Sequence, residues 1–337
     1  MQLHQTPVVV IGCGVAGLSA AYQLADAGYL VTILAKEFPG ENNIMYTSDW
    51  AGASLGFAAG GSFRARRVSQ ETFQTFWDIS SRYAPEECGI CRITQETYFD
   101  KKPDPSLIWY SKEAPDFRIL SPSEYPAQYA FAVSYTSMTL EPPRYLPWLV
   151  KQVQSKGVKI MRVEVDSLRA ALDHIPDAKA IINCSGIGSR YLKDVKDDAV
   201  FPERGQTCAI RTSFKKLIIR SGAEYTYLIP RPLSGLLILG GINEPFNTSP
   251  EPNPASREMF KQRAHKICPE LGPVDQMEFV MDIVGVRSTR KGGYRLERQE
   301  GGKLPIVHSY GYNGGGYQAS MGAGKEVVRL LRGEDSY

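Results

Sequence analysis

A glycine-rich turn between a short apolar run and an alanine-rich segment is the feature that most restricts the fold of this chain. Val8–Gly12 is uncharged and β-branched, which is typical of a strand buried on both faces. Ala16–Ala27 has helical periodicity, and Gly28 is a natural helix terminator. Tyr29–Leu34 predicts a second strand. Together these segments predict a right-handed β-α-β unit.

The turn carries the pattern Gly12-x-Gly14-x-x-Gly17. The first glycine permits the tight turn, the second lets backbone approach a pyrophosphate, and the third lets helix and strand pack closely. Phosphates would meet the N–H groups at the helix N-terminus. Glu37 follows twenty residues after Gly17, with Lys36 beside it, and either is a candidate for the ribose or a plain surface residue. The pattern predicts a dinucleotide site and leaves NAD, NADP and FAD open.

Composition excludes several classes of partner. The net charge is only +3 and there is no basic tract, so a nucleic-acid partner is not expected. Arg64, Arg66 and Arg67 form a short cluster, which is typical of a solvated surface. No apolar run approaches the roughly 18 residues that cross a bilayer, and the N-terminus does not resemble a signal peptide. We therefore expect a globular enzyme without a membrane partner.

The cysteines and histidines do not predict a metal site. The chain has six scattered cysteines and four histidines without close spacing, which fits a reducing compartment. Cys88 and Cys91 have redox or zinc spacing, but a zinc site would need a second pair. We expect two unconnected thiols or a local disulfide there.

Three features in the second half of the chain suit recognition of anions. Arg287 follows an apolar strand, where a guanidinium can hold a carboxylate by two parallel hydrogen bonds. Arg290 and Arg295 are alternatives for this role, and by composition alone each could be a solvated charge. Tyr225 and Tyr227 lie on one face of a strand, either to donate to a carboxylate or simply as half-buried rings. Gly314–Gly316 precedes a helix and is either an anion site or a capping turn.

The order of the remaining patterns predicts two interleaved domains. Strands near residues 160, 180, 283 and 307 belong with the nucleotide-binding unit, and antiparallel segments lie between them. Helices are predicted at 70–83, 143–156, 256–268 and 317–331. The expected fold class is α/β, with a Rossmann-like domain interleaved with an antiparallel-sheet α+β domain. The predicted ranges are 1–65, 140–200 and 281–337 for the first domain and 66–139 and 201–280 for the second.

Seven stretches resemble one family in its own order along nearly the whole chain. They are "VVVIGCGVAGLSAA", "TSDWAGAS", "INCSGIGS", "ERGQT", "YLIPRP", "GVRSTRKGGYRLE" and "YGYNGGGYQASMGAG". The chain resembles the D-amino-acid oxidase family, which includes D-aspartate oxidases, and is most similar to its fungal members. The resemblance implies that the Rossmann-like domain binds FAD non-covalently and that the second domain binds the substrate.

The resemblance also implies residue roles. Those implied to contact the cofactor are Gly12, Gly14, Val15, Ala16, Gly17, Lys36, Glu37, Ser48, Ala51, Gly52, Ala53, Val165, Ser185, Gly186, Arg287, Gly314, Gly315, Gly316, Tyr317 and Gln318. Arg287 and Tyr227 are implied to bind the substrate α-carboxylate, with Tyr225 and Gln318 as further catalytic candidates.

The chain departs from the family pattern at three places. Asn243 stands where many fungal members have a second tyrosine, so Tyr225 is a candidate substitute. Ser54 stands where asparagine is common. The resemblance implies the peroxisomal matrix, but the chain ends in "GEDSY" rather than in a small-basic-Leu address.

The implied reaction is the oxidative deamination of a D-amino acid by hydride transfer from Cα to flavin N5, with O₂ as acceptor and release of a 2-oxo acid, ammonia and H₂O₂. A D-aspartate or D-glutamate oxidase is an alternative that needs a second cation, for which Arg64, Arg66 and Arg220 are candidates. A glycine or sarcosine oxidase, a nicotinamide-dependent dehydrogenase and a non-catalytic flavin-binding protein are further alternatives. A homodimer is left open.

Overall fold

The computed structural model describes residues 6–57, 61–300, 302 and 304–334, and these form two β-sheets with helices around them. The strands in chain order are β1 Pro7–Ile11, β2 Leu30–Ala35, β3 Ile90–Phe99, β4 Arg118–Ile119, β5 Phe131–Leu140, β6 Lys159–Arg162, β7 Ile181–Asn183, β8 Val200–Arg211, β9 Leu217–Ser221, β10 Thr226–Arg231, β11 Leu236–Gly240, β12 Glu244–Pro245, β13 Phe279–Arg290, β14 Arg295–Gln299 and β15 Ile306–Tyr310. The α-helices are α1 Val15–Asp26, α2 Phe63–Arg82, α3 Pro85–Cys88, α4 Pro142–Ser155, α5 Pro254–Ile267 and α6 Gly316–Arg332.

The first sheet is a covered, mostly parallel sheet in the order β14-β15-β7-β1-β2-β6. β1 pairs in parallel with both β2 and β7, which confirms the predicted β-α-β unit. Val8 and Val10 point to one face and pack with α1 and α6. Val9 and Ile11 point to the other face and pack with residues of the 168–192 segment. Apolar packing on both faces explains the continuous apolar run.

The second sheet has nine strands in the order β12-β8-β11-β10-β9-β3-β5-β4, with β13 also pairing with β8. Its pairs are antiparallel except for β3 with β9. One face packs against α5 through Phe260, Ala264 and Ile267. The opposite face carries Ile229 and Tyr227 and faces a cleft between the sheets.

The interleaved α/β architecture predicted from the sequence is therefore confirmed. The exact domain ranges stay a prediction. β13 pairs with β8 from Phe279 to Arg290, so the second sheet continues ten residues past the predicted boundary at 280. No helix of the described ranges is long and apolar enough to cross a membrane.

The glycine turn has the close packing that its spacing predicts. Gly12 has a φ of +107°, and a Cβ there would lie 2.5 Å from the carbonyl oxygen of Cys184. A Cβ on Gly17 would lie 2.0 Å from the carbonyl oxygen of Gly12. Gly17 thus holds α1 against the end of β1, as expected for the third glycine of this pattern.

Helix α2 begins seven residues before the predicted helix. Ser62 is its N-cap, and the Ser62 hydroxyl accepts a hydrogen bond from the backbone N–H of Ala65. The extra turns bring Arg64 and Arg67 to Glu326 of α6, at 3.0 and 2.5 Å. Arg329 also contacts Glu326, at 3.0 Å. The Glu326 side chain is fully buried, so its charge depends on these arginines.

We expect Glu326→Gln to lower the free energy of unfolding by about 3 kcal/mol, because the arginines of α2 and α6 lose a buried counter-charge. Chemical denaturation of the FAD-loaded protein measures the change. Glu334→Gln, at an exposed ion pair with Arg332, is the matched control and should have little effect. Equal stability of the two variants would contradict the assigned role of Glu326.

Candidate active site

A large cleft lies between the two sheets. Its volume is about 1110 Å³, and its walls include the carboxyl ends of β1, β2 and β7, the N-terminus of α1, the segment after β2 and the inner face of the second sheet. Carboxyl ends of parallel strands form the usual ligand crevice of open α/β sheets. The cleft is therefore the candidate active site.

The N-terminus of α1 opens into this cleft. Gly14, Val15 and Ala16 line it, and Gly14 is an N-cap without a side-chain hydrogen bond. The Ser48 hydroxyl lies beside them and accepts a hydrogen bond from the Val15 N–H at 2.9 Å. A Cβ on Gly14 would lie 3.0 Å from that hydroxyl oxygen. Because glycine has no Cβ, the Gly14 backbone and the Ser48 hydroxyl can both reach a ligand in the cleft. This arrangement suits a diphosphate.

Contacts from the second sheet and from helix α6 hold the segment from Ser48 to Ala53, all of whose predicted site residues line the cleft. The Tyr317 hydroxyl donates to the carbonyl of Ser48 at 2.7 Å. The guanidinium of Arg231 donates to the carbonyls of Gly52 and Ala51, at 2.7 and 2.8 Å. Arg231 is buried in β10 and was not indicated by the sequence patterns, although it lies in the "YLIPRP" stretch.

Acidic and basic side chains meet where β2 ends. Lys36, Glu37 and Val165 line this end of the cleft. Asn43 donates to the Glu37 carboxylate at 2.6 Å, and Lys36 pairs with Glu164 at 3.2 Å. Asn43 therefore orients Glu37, and no sequence pattern indicated it.

A buried polar network supports the turn that carries Ser185 and Gly186, both of which line the cleft. The side-chain oxygen of Asn183 accepts from the Ser185 N–H at 3.1 Å and from the Ser185 hydroxyl at 2.7 Å. The amide nitrogen of Asn183 therefore faces His308, 3.2 Å from its Nδ1. Nδ1 accepts and Nε2–H donates to Gln299 at 3.0 Å, so His308 is a neutral imidazole. Burial and then the charge of Arg295 lower the pKa of His308 to about 4.

At three positions of the second sheet, a glycine leaves room for a site side chain that lies across the strand. A Cβ on Gly205 would lie 2.4 Å from Nη2 of Arg287, and one on Gly240 would lie 2.4 Å from the ring of Tyr227. Trp50 lies across the third glycine, Gly285, in the same way. We call Gly205, Gly240 and Gly285 the glycine floor. It leaves room for side chains that lie flat against the sheet.

Arg287 lies at the inner end of the cleft, as predicted. Its Nη1 donates to the Asn243 side-chain oxygen at 2.7 Å and to the Ile242 carbonyl at 3.3 Å. Glu203 is 3.8 Å away. Asn243, which replaces the expected tyrosine, thus orients the guanidinium from one side.

Tyr225 and Tyr227 both line the cleft, with ring centroids 5.7 Å apart. Tyr227 lies within β10 and is half-buried, whereas Tyr225 precedes the strand and is 53% exposed. Burial raises the pKa of Tyr227 against the lowering effect of Arg287, so the phenol remains a hydrogen-bond donor at neutral pH.

The glycine turn before α6 also reaches the cleft. Gly314, Gly316, Tyr317 and Gln318 line it. Gly315 and Gly17 are absent from the lining, so the structure does not place these two predicted cofactor contacts on the cleft wall. Every other predicted site residue lines the same cleft.

Comparison with known proteins identifies the family. The family model described as FAD dependent oxidoreductase matches residues 7–330. A D-amino-acid oxidase of Schizosaccharomyces pombe is 29% identical, over 96% of this chain and 95% of its own. A D-aspartate oxidase of Cryptococcus neoformans is 32% identical, over 96% of each chain. The chain belongs to the D-amino-acid oxidase family of FAD-dependent oxidoreductases.

Solved structures agree with the fold of this FAD-dependent oxidoreductase. The glycine oxidase of Geobacillus kaustophilus superposes with a TM-score of 0.77 at 17% identity, covering 98% of this chain and 95% of that one. The iminodiacetate oxidase of Chelativorans sp. BNC1 has a TM-score of 0.75 at 17% identity, covering 97% and 96%. At these identities the likeness shows the fold alone. The alternative of a purely nicotinamide-dependent dehydrogenase is set aside by the family match.

The three arginines considered as a second substrate cation do not line the cleft. Arg64 pairs with Glu326, as described above. Arg220 pairs with Asp100 at 3.0 Å and with Glu224 at 2.5 Å. Arg66 lies over the ring of Trp109. Local carboxylates and rings account for these positions, so the alternative that needs a second substrate cation gains no support from these three arginines.

The cysteines are all buried free thiols, Cys88 and Cys91 included. Burial raises the pKa of Cys91 to about 11, which disfavours the reactive thiolate. Across the described ranges, no group of three or more candidate metal ligands comes together.

We expect Arg231→Lys to raise the FAD dissociation constant roughly tenfold, because an ammonium cannot span the carbonyls of Ala51 and Gly52. Titration of the apoprotein with FAD measures it. Arg118→Lys, at an exposed pair with Glu124, is the control. Unchanged FAD binding in a folded Arg231→Lys protein would contradict this role.

His308 predicts a stability loss in mild acid. Its pKa is about 4 in the folded protein and 6.5 in the unfolded chain, so the unfolded chain binds the proton first as the pH falls. We expect the folded protein to lose about 3 kcal/mol from this group between pH 6.5 and 4. Denaturation at several pH values should show a shallower pH dependence in His308→Gln. If the free energy of unfolding changed with pH in the same way in wild type and in His308→Gln, the predicted role of His308 would be contradicted.

Proposed function

We propose that this FAD-dependent oxidoreductase oxidises D-amino acids to imino acids, which water hydrolyses to 2-oxo acids and ammonia. Bound FAD supplies a hydride acceptor at N5 and is reoxidised by O₂ with release of H₂O₂. The observation that carries the proposal is the guanidinium of Arg287, held over the glycine floor at the inner end of the cleft. The names of the fungal relatives support the substrate class.

The residues of the cleft fit FAD along its length. The N-terminus of α1 with Ser48 would hold the diphosphate, and Glu37 would accept hydrogen bonds from the ribose. The Ser48–Ala53 segment would lie along the flavin. The N-terminus of α6, at Gly316, would stabilise negative charge on the reduced ring. A cleft of about 1110 Å³ has room for the cofactor and a small substrate.

Arg287 and Tyr227 would bind the substrate α-carboxylate. Nη1 of Arg287 is used by Asn243 and Ile242, and the Tyr227 side chain also interacts with the guanidinium, so the N–H groups that remain would bind the substrate. The protonated phenol of Tyr227 would donate a further hydrogen bond. Tyr225 and Gln318 would close opposite sides of the same end. This anchoring positions Cα relative to the flavin.

Hydride transfer from a neutral amine requires no side chain to remove a proton from carbon. The contribution of the protein is then orientation and electrostatics. The choice of the D enantiomer rests on family resemblance, as does the peroxisomal location, and both stay predictions.

The decisive experiment is the absorbance spectrum of the FAD-loaded protein before and after anaerobic D-alanine. Loss of the oxidised flavin bands, followed by H₂O₂ on admission of air, is the expected result. L-alanine and NADH are the controls for enantiomer and donor. Flavin that no D-amino acid reduces would overturn the proposal.

We expect Arg287→Ala to retain FAD but to raise KM for D-alanine roughly 100-fold, because charge-assisted hydrogen bonds to the carboxylate are lost. Steady-state H₂O₂ production measures KM, and the flavin spectrum measures cofactor content. Arg211→Ala, at an exposed pair with Glu278, should leave KM unchanged. A normal KM in Arg287→Ala would place the substrate elsewhere.

A further inference from the structure

We propose that Glu203 selects substrates by charge, favouring D-amino acids with cationic or neutral side chains over those with a second carboxylate. This inference rests on the proposed function and deepens it, because it names the substrate class. No sequence pattern pointed to Glu203, which lies in the "ERGQT" stretch.

The position of Glu203 follows from strand register. Glu203 of β8 is directly opposite Arg287 of β13, so the two side chains share the face that lines the cleft. Its Oε2 accepts a hydrogen bond from the Thr289 hydroxyl at 3.2 Å. Its Oε1 has no hydrogen-bond partner within the described part of the chain, and the side chain is only 14% exposed. A carboxylate oxygen therefore faces the cleft with spare acceptor capacity.

Arg287 and Glu203 form an ion pair that lacks a hydrogen bond. Their nearest nitrogen and oxygen are 3.8 Å apart, whereas the same Nη1 lies 2.7 Å from the Asn243 side-chain oxygen. Asn243 thus draws the guanidinium away from Glu203. The Glu203 carboxylate remains available to a second positive group.

Few charged side chains line this end of the cleft. Of the described residues that line the second-sheet side, only Arg287 and Glu203 carry full charges. The other charged lining residues belong to the nucleotide end: Lys36, Glu37, Glu164, Asp166 and Lys193. Binding of one α-carboxylate therefore uses the single cation of the substrate end.

A second carboxylate on the substrate would then face Glu203 without a counter-ion, and close like charges disfavour binding. An ammonium or guanidinium group would instead form a charge-assisted hydrogen bond to Oε1. An uncharged side chain would gain neither effect. For D-amino acids with side chains of similar size, we expect kcat/KM to be highest when the side chain is cationic, intermediate when it is neutral and lowest when it is acidic.

The test compares kcat/KM of the FAD-loaded enzyme for D-lysine, D-alanine and D-aspartate in wild type and in Glu203→Gln. The amide keeps the shape and the Thr289 hydrogen bond but removes the charge. We expect the D-aspartate to D-alanine ratio to rise roughly tenfold and the D-lysine to D-alanine ratio to fall by a similar factor. Glu203→Asp, which keeps the charge, should retain the wild-type direction of both ratios.

Glu278→Gln is the matched control, because it removes a carboxylate from an exposed pair beside the same two strands. Both ratios should stay at wild-type values in this variant. Ratios that do not move in Glu203→Gln, or a wild type that prefers D-aspartate, would overturn the proposal.

Thermal unfolding of the FAD-loaded protein with non-reacting acids gives a readout independent of turnover. We expect propanoate to raise Tm in wild type and succinate to do so only in Glu203→Gln. If no D-amino acid reduces the flavin, the proposed function fails whatever the ratios. If D-alanine reduces it but the charge ratios and the succinate effect are unchanged by Glu203→Gln, only the role of Glu203 fails.

Discussion

The pairing of β8 with β13 is the constraint on which the substrate end depends. These strands run antiparallel along nearly their whole length, and the register sets Arg287 opposite Glu203. The same register sets Gly205 opposite Gly285, so the guanidinium can lie flat across the sheet. A slip of one residue would turn Arg287 to the opposite face, because side chains alternate along a strand. The anchor for the substrate is thus a property of long-range strand pairing.

A second set of contacts joins the two sheets around the expected position of the cofactor. Arg231 reaches from the second sheet to the carbonyls of Ala51 and Gly52, and Tyr317 reaches from α6 to the carbonyl of Ser48. One irregular segment is therefore held from both layers. Irregular backbone next to a large cleft needs such partners, since unpaired buried carbonyls are costly.

The sequence predicts best where the determinants are local. The β1–turn–α1–β2 unit depends on residues that are close in the sequence. The interleaved architecture was predicted from the order of short strand and helix patterns along the chain. Arg231 and Glu203 were not predicted, because their importance comes from partners far along the chain or from cross-strand register. Asn43 was not predicted, because its role depends on how the segment after β2 folds back toward Glu37. Arg64 and Arg220 were candidates for a second substrate cation, and in the structure they pair with Glu326 and Asp100. Charge in a sequence does not show which counter-charge the fold supplies.

The glycine floor restricts how the pocket can diversify in evolution. A methyl group at any of its three positions would collide with a side chain that lies across it. Substitutions that adapt the site to new substrates are therefore expected at positions beside the glycine floor, where a side chain can change without displacing the Arg287 guanidinium. In this chain Glu203 and Tyr225 line the cleft at such positions, whereas Asn243 orients the anchor. A laboratory library aimed at altered selectivity would be smallest and most productive at the codons of Glu203 and Tyr225.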